Sequence, residues 1–376
     1  KERAGARAMS TWTGEAIGFL QQEAYARRFI HGFGSPNFFT ADSVCFALRL
    51  MANKTCQGYW TYPPDFERAD MTILWGANPA YSHPPFMQRI NKARRRGAKL
   101  IVVDPRCTNA AKKADLFLQA RPGTDAALAF GLIRYLIREN AYDRDFVSSY
   151  SRGFDELAAY SKKFTTGYVA QQTGVSEKTI NEMQRMVLQS LPRCVSFPGI
   201  SLEHQVNGFN TIRAIASLSA LCGALDIEGG EPWNKEIRVN DLNPLDKEQF
   251  NTMGPAGYAR YPLFYEVMQK CHSIPGIDYM LGKGDYPKMG LIFAGTNPVL
   301  TNPNSKKVAE AFAGLDLLVA RDLFMTESAK LAHYVVPAAS FLERSELHFY
   351  SDVQRVGLSK KNPGRRGDLG RVYVLA

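Results

Sequence analysis

The sequence predicts an α/β fold made of two related, doubly wound, mostly parallel sheets with helices on both faces. Three observations carry this. Short apolar runs that stop on glycine or Asp-Pro alternate with stretches of helical periodicity, the order that builds parallel sheets. The turns ending those runs recur at a near-constant offset. Trp75-Gly76-Ala77-Asn78-Pro79 is matched by Ala294-Gly295-Thr296-Asn297-Pro298, and Asp104, Thr108, Ala111, Lys112 and Ala114 by Asp322, Thr326, Ala329, Lys330 and Ala332. Finally, 376 residues with 45% hydrophobic and 22% charged content suffice for two domains with cores of their own.

Taken in order, Thr13 to Phe29 reads as a helix, with Ile17, Leu20 and Ala24 at helical spacing and Gly32 and Gly34 ending it. Gly34 to Asn37 is a Gly-Ser-Pro-Asn turn. Met71 to Trp75 is a strand stopped by Gly76, Pro85 to Arg96 a helix with a basic outer face, and Lys99 to Val103 a strand broken at Asp104-Pro105. Pro122 to Asp125 starts a helix through Leu128, Leu132 and Leu136, with Thr124 or Asp125 as its N-cap. A helical region follows Asn140, clearest over Val175 to Leu191. Cys194 to Ile200 is then a strand, Asn207 to Leu225 a buried small-residue helix and Asp226 to Pro232 a turn. Trp233 to Lys288, polar and rich in proline and glycine, is expected to be an irregular excursion. Strands return at Gly290 to Ala294, Asp316 to Ala320 and His333 to Val336. The implied domains are an opening segment (1–60), a first α/β domain (61–225), an irregular linker (226–288) and a second α/β domain (289–376).

Composition narrows the function classes. The formal charge is +10. Its one tight cluster, Lys92 to Lys99, reads as a solvated helix end, and no pattern of a nucleic-acid-binding surface accompanies it. The excess charge suits a pocket for phosphates or another small anion. No apolar run is long enough to span a membrane, so direct membrane insertion is not expected. No signal-peptide pattern opens the chain, which begins at Lys1 rather than methionine. The six cysteines are dispersed with no C-x-x-C pair, which argues against a local zinc or iron–sulfur site and leaves at most a single cysteine for chemistry.

The duplicated turn has a physical meaning. Each copy places Gly-x-Asn-Pro at the C-terminal end of a sheet strand, where open α/β sheets bind ligands. Glycine admits close approach of a bulky anion, the following helix offers free N–H groups to phosphate, and the aspartate ending the next strand can accept hydrogen bonds from a ribose or base. Two copies imply two similar nucleotide-like ligands. A nucleotide-dependent dehydrogenase would show G-x-G-x-x-G after a strand, and neither copy has it.

These segments together resemble the molybdopterin oxidoreductase (dimethyl sulfoxide reductase) family. Gly34 to Cys45, Ile73 to Pro79, Val102 to Asp125 and Leu291 to Glu343 carry the match, with Ala220 to Gly230 similar to the family's small-residue helix and Gly-Gly turn. The resemblance implies the fold of the first three domains of formate dehydrogenase or dimethyl sulfoxide reductase. It also implies one molybdenum or tungsten held by two molybdopterin guanine dinucleotides. By position, Gly76, Ala77, Asn78 and Pro79, and on to His83, would line one cofactor, and Asp104, Pro105, Arg106 and Thr108 would form the neighbouring turn. Gly123, Thr124 and Asp125 would hold its guanine. Asn297, Arg321 and Asp322 take the corresponding places in the second copy. Cys45, shortly after the Gly34 to Asn37 turn, falls where the family ligates the metal with Cys, selenocysteine, Ser or Asp. His204 falls in Pro198 to Gly208, where the family approaches the metal and this sequence departs from its patterns.

Phe46 stands where many formate dehydrogenases carry histidine, which places the thiosulfate, polysulfide and arsenate reductases nearer. The implied activity is two-electron reduction of a small anionic sulfur or arsenic oxyanion by a bacterial enzyme of anaerobic respiration. The implied partners are an iron–sulfur electron-transfer subunit and a membrane anchor subunit, and the resemblance leans to a periplasmic protein exported by the twin-arginine route. The family's N-terminal 4Fe-4S cysteines and its C-terminal cofactor-binding domain have no counterpart in these 376 residues. The chain is therefore expected to be part of a longer polypeptide, with Gly364 to Ala376 a family segment cut off as its helix starts. The alternative is a non-catalytic scaffold subunit that keeps the fold without the metal.

Overall fold

The computed structural model describes residues 2–14, 20–59, 64–233, 241–285, 289–350, 355–359 and 373–374. In chain order the elements begin with β1 (Met9–Thr13), α1 (Leu20–Phe33), β2 (Phe38–Thr40), α2 (Ala47–Gln57), β3 (Met71–Trp75), α3 (Pro79–Ser82), α4 (Pro84–Arg94), β4 (Lys99–Val103) and β5 (Leu116–Leu118). Then come α5 (Asp125–Arg138), α6 (Arg144–Tyr150), α7 (Phe154–Ser161), α8 (Thr166–Thr173), α9 (Glu177–Gln189), β6 (Cys194–Pro198) and α10 (Gly208–Leu221). The remainder is α11 (Lys247–Thr252), α12 (Pro262–Met268), α13 (Ser273–Met280), β7 (Gly290–Ala294), α14 (Pro298–Thr301), α15 (Ser305–Ala313), β8 (Leu317–Asp322), β9 (Tyr334–Pro337), β10 (Glu346–Tyr350), β11 (Arg355–Ser359) and β12 (Tyr373–Val374). They form two compact units, Leu48–Lys235 and Lys1–Ala47 with Glu236–Ala376.

The Leu48–Lys235 unit holds a four-stranded sheet in the order β5-β4-β3-β6, parallel throughout. Its strands are continuous apolar runs because both faces are covered. Met71, Ile73, Trp75, Ile101 and Val103 face a core shared with Leu128, Leu132 and Leu136 of α5 and with α8, α9 and α10. Leu74, Leu100, Val102 and Val195 face a second core with Phe66 and Ile90. Alternation at period two thus assigns each residue its face. In α9, Ser176 caps the N-terminus by accepting from the Thr179 N–H at 3.2 Å, and Ile180, Met183 and Val187 form the buried stripe.

The other unit holds a six-stranded sheet in the order β12-β9-β8-β7-β1-β2, parallel except for β12 against β9. β10 and β11 form a separate antiparallel pair. Trp12, Phe38, Phe293 and Phe312 are buried around the sheet.

The structure redraws several sequence expectations. Residues 1–47 do not form a segment apart: β1 pairs with β7 and β2 with β1, so they complete the sheet of the second repeat. Both strands escaped notice: β1 carries Ser10, Thr11 and Thr13, polar by type though buried, and β2 has only three residues. Thr13 belongs to β1, residues 15–19 lie outside those described, and α1 runs through Gly32 to Phe33 before Gly34, at φ 99°, ends it. Within the linker expected over 226–288, the described residues carry α11, α12 and α13, which bury Phe250, Phe264, Tyr265, Ile277 and Met280. Short helices opened by Pro262 or carrying Pro275 in the first turn look irregular in sequence but pack as core. Residues 234–240 and 286–288 of that stretch, and most of Gly364 to Ala376, lie outside those described. The basic cluster at the end of α4 is partly neutralised locally: Lys92 meets Glu67, while Arg94 and Lys99 meet Asp115 at 3.4 and 3.3 Å.

Candidate functional site

The repeat seen in sequence is a repeat of backbone geometry. Gly76 and Gly295 adopt φ of 55° and 57°, the left-handed region that favours glycine. Asn78 follows at φ −127°, ψ 71° and Asn297 at φ −122°, ψ 73°, each opening a four-residue helix on a proline. Thr108 Oγ1 accepts from the Ala111 N–H at 3.2 Å, and Thr326 Oγ1 from the Ala329 N–H at 3.2 Å. Asp104 accepts from the Arg106 N–H at 2.8 Å and Asp322 from the Phe324 N–H at 3.2 Å. The two aspartates therefore hold their own turns as well as ending their strands.

The copies differ at the asparagine. Asn297 Oδ1 accepts from the Ser328 N–H at 3.2 Å and the Ser328 hydroxyl at 2.6 Å, and its amide donates to Glu327 at 2.7 Å. The first copy has Ala110 where the second has Ser328, and Asn78 Oδ1 is buried without a donor among the described residues. A buried carbonyl left unpaired costs about 1–3 kcal/mol, so Asn78 carries an unused acceptor where Asn297 has its own satisfied.

In the Leu48–Lys235 unit, strand register aligns the candidate residues. Trp75 pairs with Val103 and Val103 with Leu118, so Gly76–Pro79, Asp104–Thr108 and the turn leading to Gly123–Asp125 leave the same end of the sheet. Pro105 and Arg106 are exposed there, while Asp104 and Thr108 are buried. Gly123 has φ 82°. Thr124 occupies the N-cap position of α5, yet its hydroxyl donates back to the Arg121 carbonyl at 2.7 Å rather than capping the helix. Asp125 is buried, and that burial, followed by the nearby charge of Asp104, raises its carboxyl to about 6.

The segment after β6 packs over these turns. Ser201 donates to the Gly76 carbonyl at 2.8 Å. The structure places His204 on the exposed side of this segment. Its neighbour Glu203 is the buried member, paired with Arg49 at 2.8 Å and accepting the Arg49 backbone N–H at 3.0 Å. A Cβ on Gly199 would lie 2.1 Å from the Gly76 carbonyl oxygen. Gly199→Ala is therefore expected to destabilise the protein by about 3 kcal/mol, because the obstacle is backbone and cannot rotate away. Urea unfolding with an unchanged midpoint would show that the segment is free to lift.

The other unit assembles the remaining candidates. A cavity of about 570 Å³ is lined by Cys45, Gln22, Gly295, Asn297, Arg321 and Asp322, among others. Cys45 follows a 3-10 turn, Ala41–Val44, opened by Thr40, whose hydroxyl accepts from the Asp42 N–H at 3.3 Å; the Cys45 N–H bonds the Asp42 carbonyl at 3.1 Å. The sequence places Cys45 far from the second repeat, and β1 and β2 bring them together. Sequence reasoning missed Gln22, whose carbonyl oxygen accepts from the Arg321 guanidinium at 2.9 Å and aims it, and Gly14, where a Cβ would sit 2.4 Å from the Gly295 carbonyl oxygen.

Among the described residues no helix is long and apolar enough to cross a membrane. The family model described as molybdopterin oxidoreductase matches residues 8–360. The F420-dependent formate dehydrogenase subunit alpha of Methanocaldococcus jannaschii is 31% identical over 342 residues, which are 89% of this chain and 49% of that protein. The thiosulfate reductase molybdopterin-containing subunit PhsA of Salmonella typhimurium is 28% identical over 332 residues, 84% of this chain and 43% of that one. The solved structure of acetylene hydratase from Pelobacter acetylenicus shares the fold, with a TM-score of 0.83 at 24% identity over 96% of this chain and 53% of that chain. The chain thus spans about half the length of the curated relatives it matches. With the duplicated turns and the matched 8–360 span, the chain belongs to the molybdopterin oxidoreductase family.

Proposed function

We propose that this chain is the core of a catalytic subunit that binds molybdenum or tungsten through two molybdopterin guanine dinucleotides and reduces a small sulfur or arsenic oxyanion. The observation that carries the reading is Cys45 in one cavity with Gly295, Asn297, Arg321 and Asp322. The residues fit such a group. A thiolate is a soft donor suited to either metal beside dithiolene sulfurs. Gly295, at positive φ, lines the cavity, and the unpaired Asn78 Oδ1 and the buried Asp125 carboxylate await donors. The bound group would supply a two-electron metal cycle with an open position for oxygen or sulfur transfer.

The chain's own residues then have distinct tasks. Cys45 offers the thiolate. Arg321, oriented by Gln22, presents a fixed positive fork to phosphate or anionic substrate. Gly123, Thr124 and Asp125 hold a guanine, with the carboxylate accepting from its N1–H and exocyclic amine. Gly76 to Pro79, with Asp104, Pro105, Arg106 and Thr108, line one cofactor, while Asn297, Arg321 and Asp322 serve the other. Relatives named as an alpha subunit and a molybdopterin-containing subunit support an electron-transfer partner subunit. Phe46 following Cys45 favours an oxyanion over formate; the relatives include both chemistries by name, a thiosulfate reductase subunit at 28% identity and a formate dehydrogenase subunit at 31%. A periplasmic site of action belongs to the same reading.

The test is metal and pterin analysis of the full-length protein, with reduced viologen as donor and thiosulfate, polysulfide, arsenate or nitrate as acceptor, and formate with oxidised viologen. Turnover of thiosulfate, polysulfide or arsenate is expected. Formate oxidation alone would overturn the substrate class, and protein free of metal and pterin would favour the scaffold alternative.

A further inference from the structure

We infer that Lys270 is a positioning residue for Cys45, fixing the turn that carries the cysteine against the helix that brings Gln22 to the same cavity; this rests on the reading of Cys45 as the metal ligand. Lys270 lies where the sequence suggests an irregular linker. Its ammonium contacts the Asp42 carboxylate at 2.5 Å and the Glu23 carboxylate at 2.7 Å. Asp42 is in the 3-10 turn, and its carbonyl accepts the Cys45 N–H. Glu23 is in α1, next to Gln22, which lines the cavity and aims Arg321. One cation therefore ties together the two elements that bring Cys45 and Gln22 to the same space.

The attachment extends beyond Lys270. Gln269, at φ 52°, accepts from Arg27 of α1 through its backbone carbonyl at 3.2 Å. The Cys271 N–H donates to the Phe38 carbonyl at 2.7 Å, and Phe39 and Cys271 form a parallel bridge, extending the sheet past β2. The Ser273 N–H donates to Ser43 Oγ at 3.0 Å, and the Ser43 hydroxyl donates to Ser273 Oγ at 2.9 Å. Residues 269–273 thus strap β2 and the cysteine turn through Phe38, Asp42 and Ser43. The two carboxylates and their cation are largely shielded, with side-chain exposures of 8% for Asp42, 24% for Glu23 and 14% for Lys270. Burial works against the ammonium, yet Glu23 and Asp42 outweigh it and raise the Lys270 pKa, so the charge persists across the working pH range. Removing the cation would leave two carboxylates facing each other, and their repulsion would push the turn away from α1.

The experiment compares wild type, Lys270→Met, Lys270→Arg and Cys45→Ser. In protein made without molybdate or tungstate, Cys45 alkylation by iodoacetamide is followed by peptide mass spectrometry, with the exposed Cys56 and Cys107 as internal references. Lys270→Met is expected to speed Cys45 alkylation by about tenfold, as expected when a local opening becomes easier, leave the references unchanged, and be restored by Lys270→Arg. In the metal-loaded protein the pentavalent-metal electron paramagnetic resonance spectrum should shift in Lys270→Met and return in Lys270→Arg. An unchanged alkylation rate, or failure of arginine to restore it, would overturn the proposal. An unchanged spectrum in Lys270→Met beside a changed one in Cys45→Ser would overturn it alone, whereas unchanged spectra in both would overturn the reading of Cys45 itself. Should Lys270→Met not fold, Ser273→Ala loosens the same strap without burying charge, and unaltered Cys45 alkylation there would count equally against the idea.

Discussion

Cys45→Ala is expected to lower turnover of the full-length enzyme at least about a hundredfold, more than the loss typical when only a supporting contact of a metal ligand is removed. The fold should survive. The side chain is half-buried at the wall of a cavity of about 570 Å³, so truncating it leaves no sealed void in a core. The melting temperature should therefore stay within a few degrees of wild type, the range of about 1 kcal/mol for a chain of this size. Metal content should fall together with turnover if, as proposed, the Cys45 sulfur is the donor this chain offers to the metal at the cavity wall. Full turnover at full metal content would remove Cys45 from the site, and a folded protein with neither would assign it to retention of the metal.

The fold was largely legible because its central strands are buried on both faces. Met71–Trp75, Lys99–Val103 and Gly290–Ala294 fall where the sequence puts them, each an apolar run closed by a glycine or an Asp-Pro. The duplicated turn was legible for a related reason: Gly76 and Gly295 need a backbone conformation few residues tolerate, so the geometry is written in the residue type. What sequence could not show was long-range pairing. Nothing local in Met9–Thr13 says that it lies beside Gly290–Ala294, and that register is what carries Cys45 to Asn297 and Arg321. Lys270 was hidden in the same way. A lysine in a polar stretch reads as surface until Glu23 and Asp42, distant in sequence, are found around it.

Asp125→Asn is expected to make the cofactor-free protein more stable at pH 8 while weakening its hold on a guanine nucleotide. The wild-type carboxyl sits near 6 in the folded protein, raised first by burial and then by Asp104, against an ordinary value of 3.8. A carboxyl raised on folding binds its proton more tightly in the native state. Its contribution to stability is fully present below the unfolded value and is lost as pH climbs through about 6. Above that pH the ionised group costs at most about 3 kcal/mol, at about 1.4 kcal/mol for each unit of displacement. Asparagine has nearly the same shape and no charge, so the variant should gain about 1–3 kcal/mol at pH 8 and nothing near pH 4. Urea unfolding at the two pH values measures this directly. Guanine presents two adjacent donors, which a carboxylate matches and an amide meets with one acceptor and one opposing N–H. Guanosine diphosphate should therefore bind the variant about tenfold or more weakly, from a mismatch of about 1–3 kcal/mol. Opposite signs for stability and binding identify a carboxylate kept for its ligand. A loss of stability at pH 8 on substitution would mean that Asp125 instead serves the fold, and nucleotide affinity equal to wild type would remove it from the guanine site.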